Sequence, residues 1–175
     1  MNSFELHSAL KSHCKLENEG VFACDKLPKF ANKPSALICN TQPSNMPGEH
    51  WIAIYLDING KGEYFDSYGM PPLKSEFAAF LKTNCKKNWS FNNKELQDWD
   101  SDVCGQYCLA YLSAKGHGCS LNQFLKKFDT NNKKKNDLMV AKMVKPSCDG
   151  AKNCLKAQSC CSRRRSRSQN GKVHR

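Results

Sequence analysis

The segment Trp51-Ile52-Ala53-Ile54-Tyr55-Leu56 is apolar at every position, which places apolar groups on both faces of an extended strand. Such a strand needs cover on two sides, so it belongs at the centre of a sheet flanked by other elements. It is also the longest uninterrupted apolar run, far short of the roughly 20 residues a membrane helix requires. Asp57-Ile58-Asn59-Gly60 follows as a hairpin signal, and Glu63-Tyr64-Phe65-Asp66 reads as the return strand. Gly69 and the Pro71-Pro72 pair then end it. Ala36-Leu37-Ile38-Cys39 is a second short apolar strand, and Trp89 with Phe91 marks another.

Helical periodicity fills the intervals. Phe4, Leu6, Leu10 and Cys14 predict a helix over 3–16, and Phe77, Phe80 and Leu81 one over 75–81. Asp100-Ser101-Asp102 offers N-caps for a helix over 103–112, and Leu121, Phe124, Leu125 and Phe128 share one face of a further helix. A last short helix fits 138–144. Residues 20–34, with Gly20, Pro28 and Pro34, read as loop. The pattern predicts an α+β fold, a short mixed β-sheet flanked by helices.

Charge divides the chain. Residues 1–125 hold 12 Lys+Arg against 13 Asp+Glu, a net of −1; residues 126–175 hold 15 against 3, a net of +12. A nearly neutral domain over 1–130 therefore precedes a basic, flexible tail over 131–175. The runs Lys133-Lys134-Lys135 and Arg163-Arg164-Arg165-Ser166-Arg167 carry almost no aromatic residues. Runs of this kind are solvated, and they bind phosphates with salt-dependent, sequence-independent affinity. They fit nucleic-acid phosphates in general, and they fit nuclear import.

Eleven cysteines are many, but none stands in a Cys-x-x-Cys pair, which removes the main support for a zinc ribbon or a thioredoxin-like site. The start of the chain lacks the basic flank and apolar stretch of a secretory signal, so free thiols in a reducing compartment are expected. Cys104 differs from the rest by its context. It opens a predicted helix, where the helix dipole favours a thiolate, although the carboxylates just before it oppose that. Gly105 is expected to keep the space beside its sulfur open to a substrate. A nucleophilic thiol needs a base, and the base an orienting group. His50 starts the central strand and Asp66 ends its hairpin partner, so both lie at the end away from the turn. Gln97, seven residues before Cys104, can complete an oxyanion hole. Cys108, one turn after Cys104, reads as buried core.

Gly48-Glu49-His50-Trp51-Ile52-Ala53, Tyr64-Phe65-Asp66-Ser67-Tyr68-Gly69, and Gln97 ahead of Val103-Cys104-Gly105-Gln106-Tyr107-Cys108 together resemble the adenovirus protease (adenain) family. These cysteine endopeptidases share a clan with the SUMO and ubiquitin-like-protein proteases, whose order of His, acid, Gln and Cys is the order here. The likeness spans about Phe4 to Phe128. It implies His50 as general base, Asp66 as its orienter, Cys104 as nucleophile and Gln97 as oxyanion donor. Asp66 departs from the Glu of the adenovirus members and is closer to the SUMO-protease choice.

The resemblance also implies cleavage next to small, Gly-containing motifs in a narrow cleft. Trp51 either walls that cleft or sits in the core. It further implies DNA and a short activating peptide as cofactors, with Cys85 in a place similar to the family's peptide-bonding cysteine. The chemistry itself needs no cofactor and no metal. The expected protein is a monomer without a membrane partner, located in the nucleus and virion of a virus-like system, or in nucleus and cytoplasm. Its substrates are capsid or core precursors of a virus or a Maverick/Polinton-type element, or alternatively ubiquitin-like conjugates. A nucleic-acid-binding protein built on a dead protease body is a third reading, opposed by the intact His50, Asp66, Gln97 and Cys104.

Overall fold

The computed structural model describes residues 1–144 apart from Lys15, Glu17 and Lys87. In chain order these form α1 (Ser3–His13), β1 (Asn18–Ala23), a 3-10 turn (Cys24–Lys26), β2 (Ser35–Asn40), β3 (Trp51–Leu56), β4 (Gly62–Phe65), α2 (Ser75–Asn84), β5 (Ser90–Phe91), α3 (Cys104–Gly116), α4 (Leu121–Leu125) and α5 (Lys133–Met143). The five strands make one mixed sheet in the order β1-β2-β3-β4-β5. The two outer pairs are parallel and the two inner pairs antiparallel. The expected α+β architecture is the one observed.

β3 occupies the centre, and its alternation explains why every position is apolar. Ala53, with Trp51 and Tyr55 beside it, faces a core built with Leu6 and Leu10 of α1, Tyr107 and Tyr111 of α3 and Phe124 of α4. Ile52, Ile54 and Leu56 point the other way, into a second core with Phe77, Phe80 and Leu81 of α2. Full burial of each of these three aliphatic side chains is worth about 1.5–3 kcal/mol. A one-residue slip in register would exchange the two cores, so the position of His50, just ahead of the strand, is fixed by packing.

Two expectations change. The start of the stretch 20–34 expected to be loop belongs instead to the edge strand β1, parallel to β2 with Gly20 opposite Leu37 and Val21 opposite Ile38. Backbone pairing holds this segment, and its side chains are mostly half-buried, so its apolar signal is weak. The boundary at residue 130 also moves, because α5 is part of the domain. Val140 and Val144 join the core on the α3 side, the Tyr107 hydroxyl donates to Asp137 Oδ1 (2.9 Å), and Asn136 Nδ2 donates to the Leu96 carbonyl (3.0 Å). Among the described residues, no helix is long and apolar enough to cross a membrane.

Candidate active site

The site begins with the hairpin turn. Asp57 Oδ1 accepts from the backbone N–H groups of Asn59 (2.9 Å) and Lys61 (2.8 Å), and Gly60 takes the positive φ of 79° that the turn needs. The register that follows, with Leu56 opposite Gly62 and Ala53 opposite Phe65, carries residues 50 and 66 past the same end of the sheet. There His50 Nε2 lies 3.0 Å from Asp66 Oδ1. The carboxylate accepts, so Nε2 carries the proton and Nδ1 is left for Cys104, the first residue of α3, with which His50 is also hydrogen-bonded.

Asp66 is held from several directions. Its Oδ1 accepts a second bond from the Tyr68 N–H (2.8 Å). Its backbone N–H donates to Asn92 Oδ1 (2.9 Å), and its carbonyl accepts from Asn92 Nδ2 (2.7 Å) and the Gly69 N–H (2.9 Å). Gly69 sits at φ +74°, and a Cβ there would come within 2.7 Å of the Lys94 carbonyl carbon, so the turn after Asp66 admits only glycine comfortably. The Tyr68 ring lies 4.9 Å from the His50 ring, and Trp99 stacks on Tyr68 at 4.3 Å and 4°.

The electrostatics follow from these contacts. Burial opposes a charge on His50, but the bonds and charges of Asp66 and Cys104 outweigh it and raise the imidazole to about 9. Burial likewise pushes the Cys104 thiol up. The bond and charge of His50 and the backbone N–H groups of Trp51 and Gly105 more than reverse this, and the thiol ends below its ordinary value. The two groups thus favour a thiolate–imidazolium pair.

The start of α3 departs from expectation in two respects. Its N-cap is Val103, and no side chain caps it. Ser101 Oγ instead donates to the Asp98 carbonyl (2.9 Å). The first N–H groups of the helix therefore stay open beside the sulfur. Gly105 does not open space to a substrate; it is buried, and a Cβ there would meet Leu6 Cδ2 of α1 at 3.0 Å. The glycine lets Leu6 of α1 pack closely over the start of α3.

Gln97 is fully buried and lies behind the cleft wall rather than on it. Its Oε1 accepts from Ser67 Oγ (2.7 Å) and its Nε2 donates to the Ser101 carbonyl (2.6 Å). These bonds fix the amide and leave one N–H of Nε2 unused. His50, Asp66 and Cys104 line a cleft of about 1110 Å3, together with Trp51, the loop through Met46 and Pro47, and the exposed side chains of Leu73 and Trp99. Trp51 fills both roles open to it, walling the cleft while packing against the core.

Other residues singled out in the sequence lie elsewhere. Cys108 is fully buried, with Sγ 3.4 Å from the Trp51 carbonyl. Cys85 ends α2 beside Gly62 and Trp89, at the turn end of the hairpin, far from His50. Lys133 pairs with Glu95 (2.6 Å), while Lys134 and Lys135 are exposed on α5. Arg163, Arg164, Arg165 and Arg167 lie outside the described residues. Sequence reasoning missed Ser67 and Asn92. Nothing local separates Asn92 from Asn93, because its role comes from a contact 26 residues away.

No protein-family model matches the chain. Over 96 residues it is 33% identical to a putative thiol protease of Acanthamoeba polyphaga mimivirus, covering 50% of this chain and 32% of that protein. Over 101 residues it is 30% identical to a cysteine protease of African swine fever virus, covering 50% of this chain and 36% of that one. The crystal structure of the African swine fever virus protease gives a TM-score of 0.46 at 23% identity, over 61% of this chain and 42% of the other. The chain spans about a third of the length of the curated relatives it matches. Both are named as thiol or cysteine proteases of viruses. Neither is an adenovirus protease, and the likeness to adenain remains a resemblance.

Proposed function

We propose that this chain is a cysteine endopeptidase acting on precursor proteins. The observation that carries the proposal is the His50–Asp66 bond of 3.0 Å, made by the same imidazole that bonds Cys104 at the cleft. The similarity to named viral thiol and cysteine proteases supports it.

In this reading the Cys104 thiolate attacks the scissile carbonyl carbon, and the carbonyl electron pair moves onto oxygen. The N–H groups at the start of α3, which no side chain caps, receive that oxyanion, a term worth about 10²–10³ in kcat per donor, while Gln97 acts from behind the cleft wall by tying Ser67 to the Ser101 carbonyl ahead of the helix. The imidazolium of His50 gives its Nδ1 proton to the leaving amine as the C–N bond breaks, leaving a thioester on Cys104. His50, now neutral, takes a proton from water. The hydroxide adds to the thioester, the C–S bond breaks, and the thiolate–imidazolium pair is restored. Asp66 keeps Nε2 protonated and the ring aligned throughout.

The test is incubation of the protein with a peptide library and, separately, with SUMO and capsid precursors, the cuts being mapped by mass spectrometry. Cuts that vanish in Cys104→Ala support the reading. Processing of the SUMO precursor alone would move the substrate class to ubiquitin-like conjugates. No Cys104-dependent cut in any arm would overturn it.

A further inference from the structure

Asn40 closes β2 and pairs with Trp51 across the sheet. It is 5% exposed and lines the same cleft as His50 and Cys104. The two ends of its amide are treated differently. Oδ1 accepts from the backbone N–H groups of Gln42 (2.9 Å) and Glu49 (3.3 Å), drawing together the two ends of the loop that leads to His50. Those two donors fix which end of the amide is oxygen. Nδ2, in contrast, has no hydrogen-bond partner among the described residues. Gly48 stands beside it at φ +93°, and a Cβ there would come within 2.8 Å of Nδ2. The glycine keeps the space next to the donor open.

A nearly buried amide that cannot rotate, with its N–H groups unpaired on a cleft wall, is suited to an acceptor that arrives with a ligand. The cleft lining balances Glu49, Asp66 and Asp102 against Lys26, Lys74 and His50, and the charged side chain next to Gly48 in the chain is Glu49, so a neutral acceptor fits beside Nδ2 better than an anion. The neutral acceptor present at every residue of a peptide is its main-chain carbonyl. We propose that Asn40 Nδ2 donates to a backbone carbonyl of the bound substrate, making Asn40 a substrate-binding residue that reads the chain and not its side chains. The proposal rests on the peptidase reading and deepens it.

The test uses Asn40→Asp, which keeps an acceptor for Gln42 and Glu49 and removes the donor. The probe is a Gly-ended tetrapeptide vinyl sulfone, together with a series in which one carbonyl at a time is reduced to methylene. Iodoacetamide, which has no peptide to bind, reports the Cys104 thiolate in each protein. The wild type is expected to lose about tenfold in inactivation rate when one particular carbonyl is reduced. Asn40→Asp is expected to be about tenfold slower with the parent probe, relative to its iodoacetamide rate, and insensitive at that same carbonyl. If Asn40→Asp keeps the wild-type sensitivity at every position, or slows equally with both reagents, the assignment of Asn40 is wrong and the peptidase reading stands. If wild-type Cys104 reacts with iodoacetamide but shows no preference for any peptide probe, both fall together.

Discussion

The two ends of the β3–β4 hairpin, roughly 20 Å apart at about 3.3 Å per residue, each have a half-buried cysteine beside them. At the turn end Cys85 packs against Gly62 and Trp89, and burial raises its thiol above the ordinary value. At the open end Cys104 meets His50 and the N–H groups of Trp51 and Gly105, and its thiol is lowered although burial opposes this. The two thiols are of one type in one domain. What separates them is the polar company: a cation, oriented N–H groups and an uncapped helix start against a largely apolar contact. Burial raises both thiols, and only the polar groups that hairpin and helix bring to Cys104 reverse it.

The largest expected effect comes from erasing that difference. His50→Gln removes the cation and is expected to lower turnover on the order of 10⁴-fold or more, measured as kcat on a mapped peptide; a loss below tenfold would show that Cys104 does not depend on it. Gln97→Ala leaves the charge pair in place and removes the buried amide that joins Ser67 to the Ser101 carbonyl. Loss of these two buried bonds is expected to loosen the start of α3 and lower kcat by about tenfold while iodoacetamide still labels Cys104 ahead of Cys85. Equal losses in turnover and labelling would place Gln97 in the support of the thiolate instead. The smallest effect belongs to the turn end. Gly62→Ala puts a Cβ where Cys85 Sγ already sits, 2.3 Å from the ideal position. Overpacking there is expected to cost about 1–3 kcal/mol in a denaturant titration, without changing the labelling rate of Cys104. A changed rate would mean the two ends are coupled.

Much of this arrangement is legible in the sequence because it rests on local rules. The unbroken apolar run of β3 demands two covered faces. The Asp57–Gly60 turn dictates that positions 50 and 66 share an end, and the helix after residue 102 brings Cys104 to its own first turn. Other features depend on contacts between distant segments that share no periodic signal. α5 docks through Val140 and also through Asn136 and Asp137, polar residues whose buried partners are Leu96 and Tyr107, so apolar spacing reveals the helix over 138–144 but not that its start belongs to the domain. β1 is held by backbone pairing, which leaves little mark on residue choice. Gly105 reads equally well as space for a substrate or as space for Leu6, and only the approach of α1 separates the two. Asn40 and Asn92 act on segments that lie against them only after folding.

The central claim is that His50 and Cys104 ionise as a pair, and the pH dependence of Cys104 alkylation tests it most directly. With a lowered thiol and an imidazole raised to about 9, the thiolate persists until the pH falls below the lowered Cys104 value. Labelling of Cys104 by iodoacetamide, followed by peptide mass spectrometry with Cys85 as the internal reference, should therefore stay fast to lower pH than labelling of Cys85. Peptide turnover should show the same acid limb and in addition decline on the alkaline side near 9, where His50 gives up the proton that the leaving amine needs. In His50→Gln the Cys104 labelling curve should shift upward in pH to join that of Cys85. Coincident curves for Cys104 and Cys85 in the wild-type protein would contradict the account.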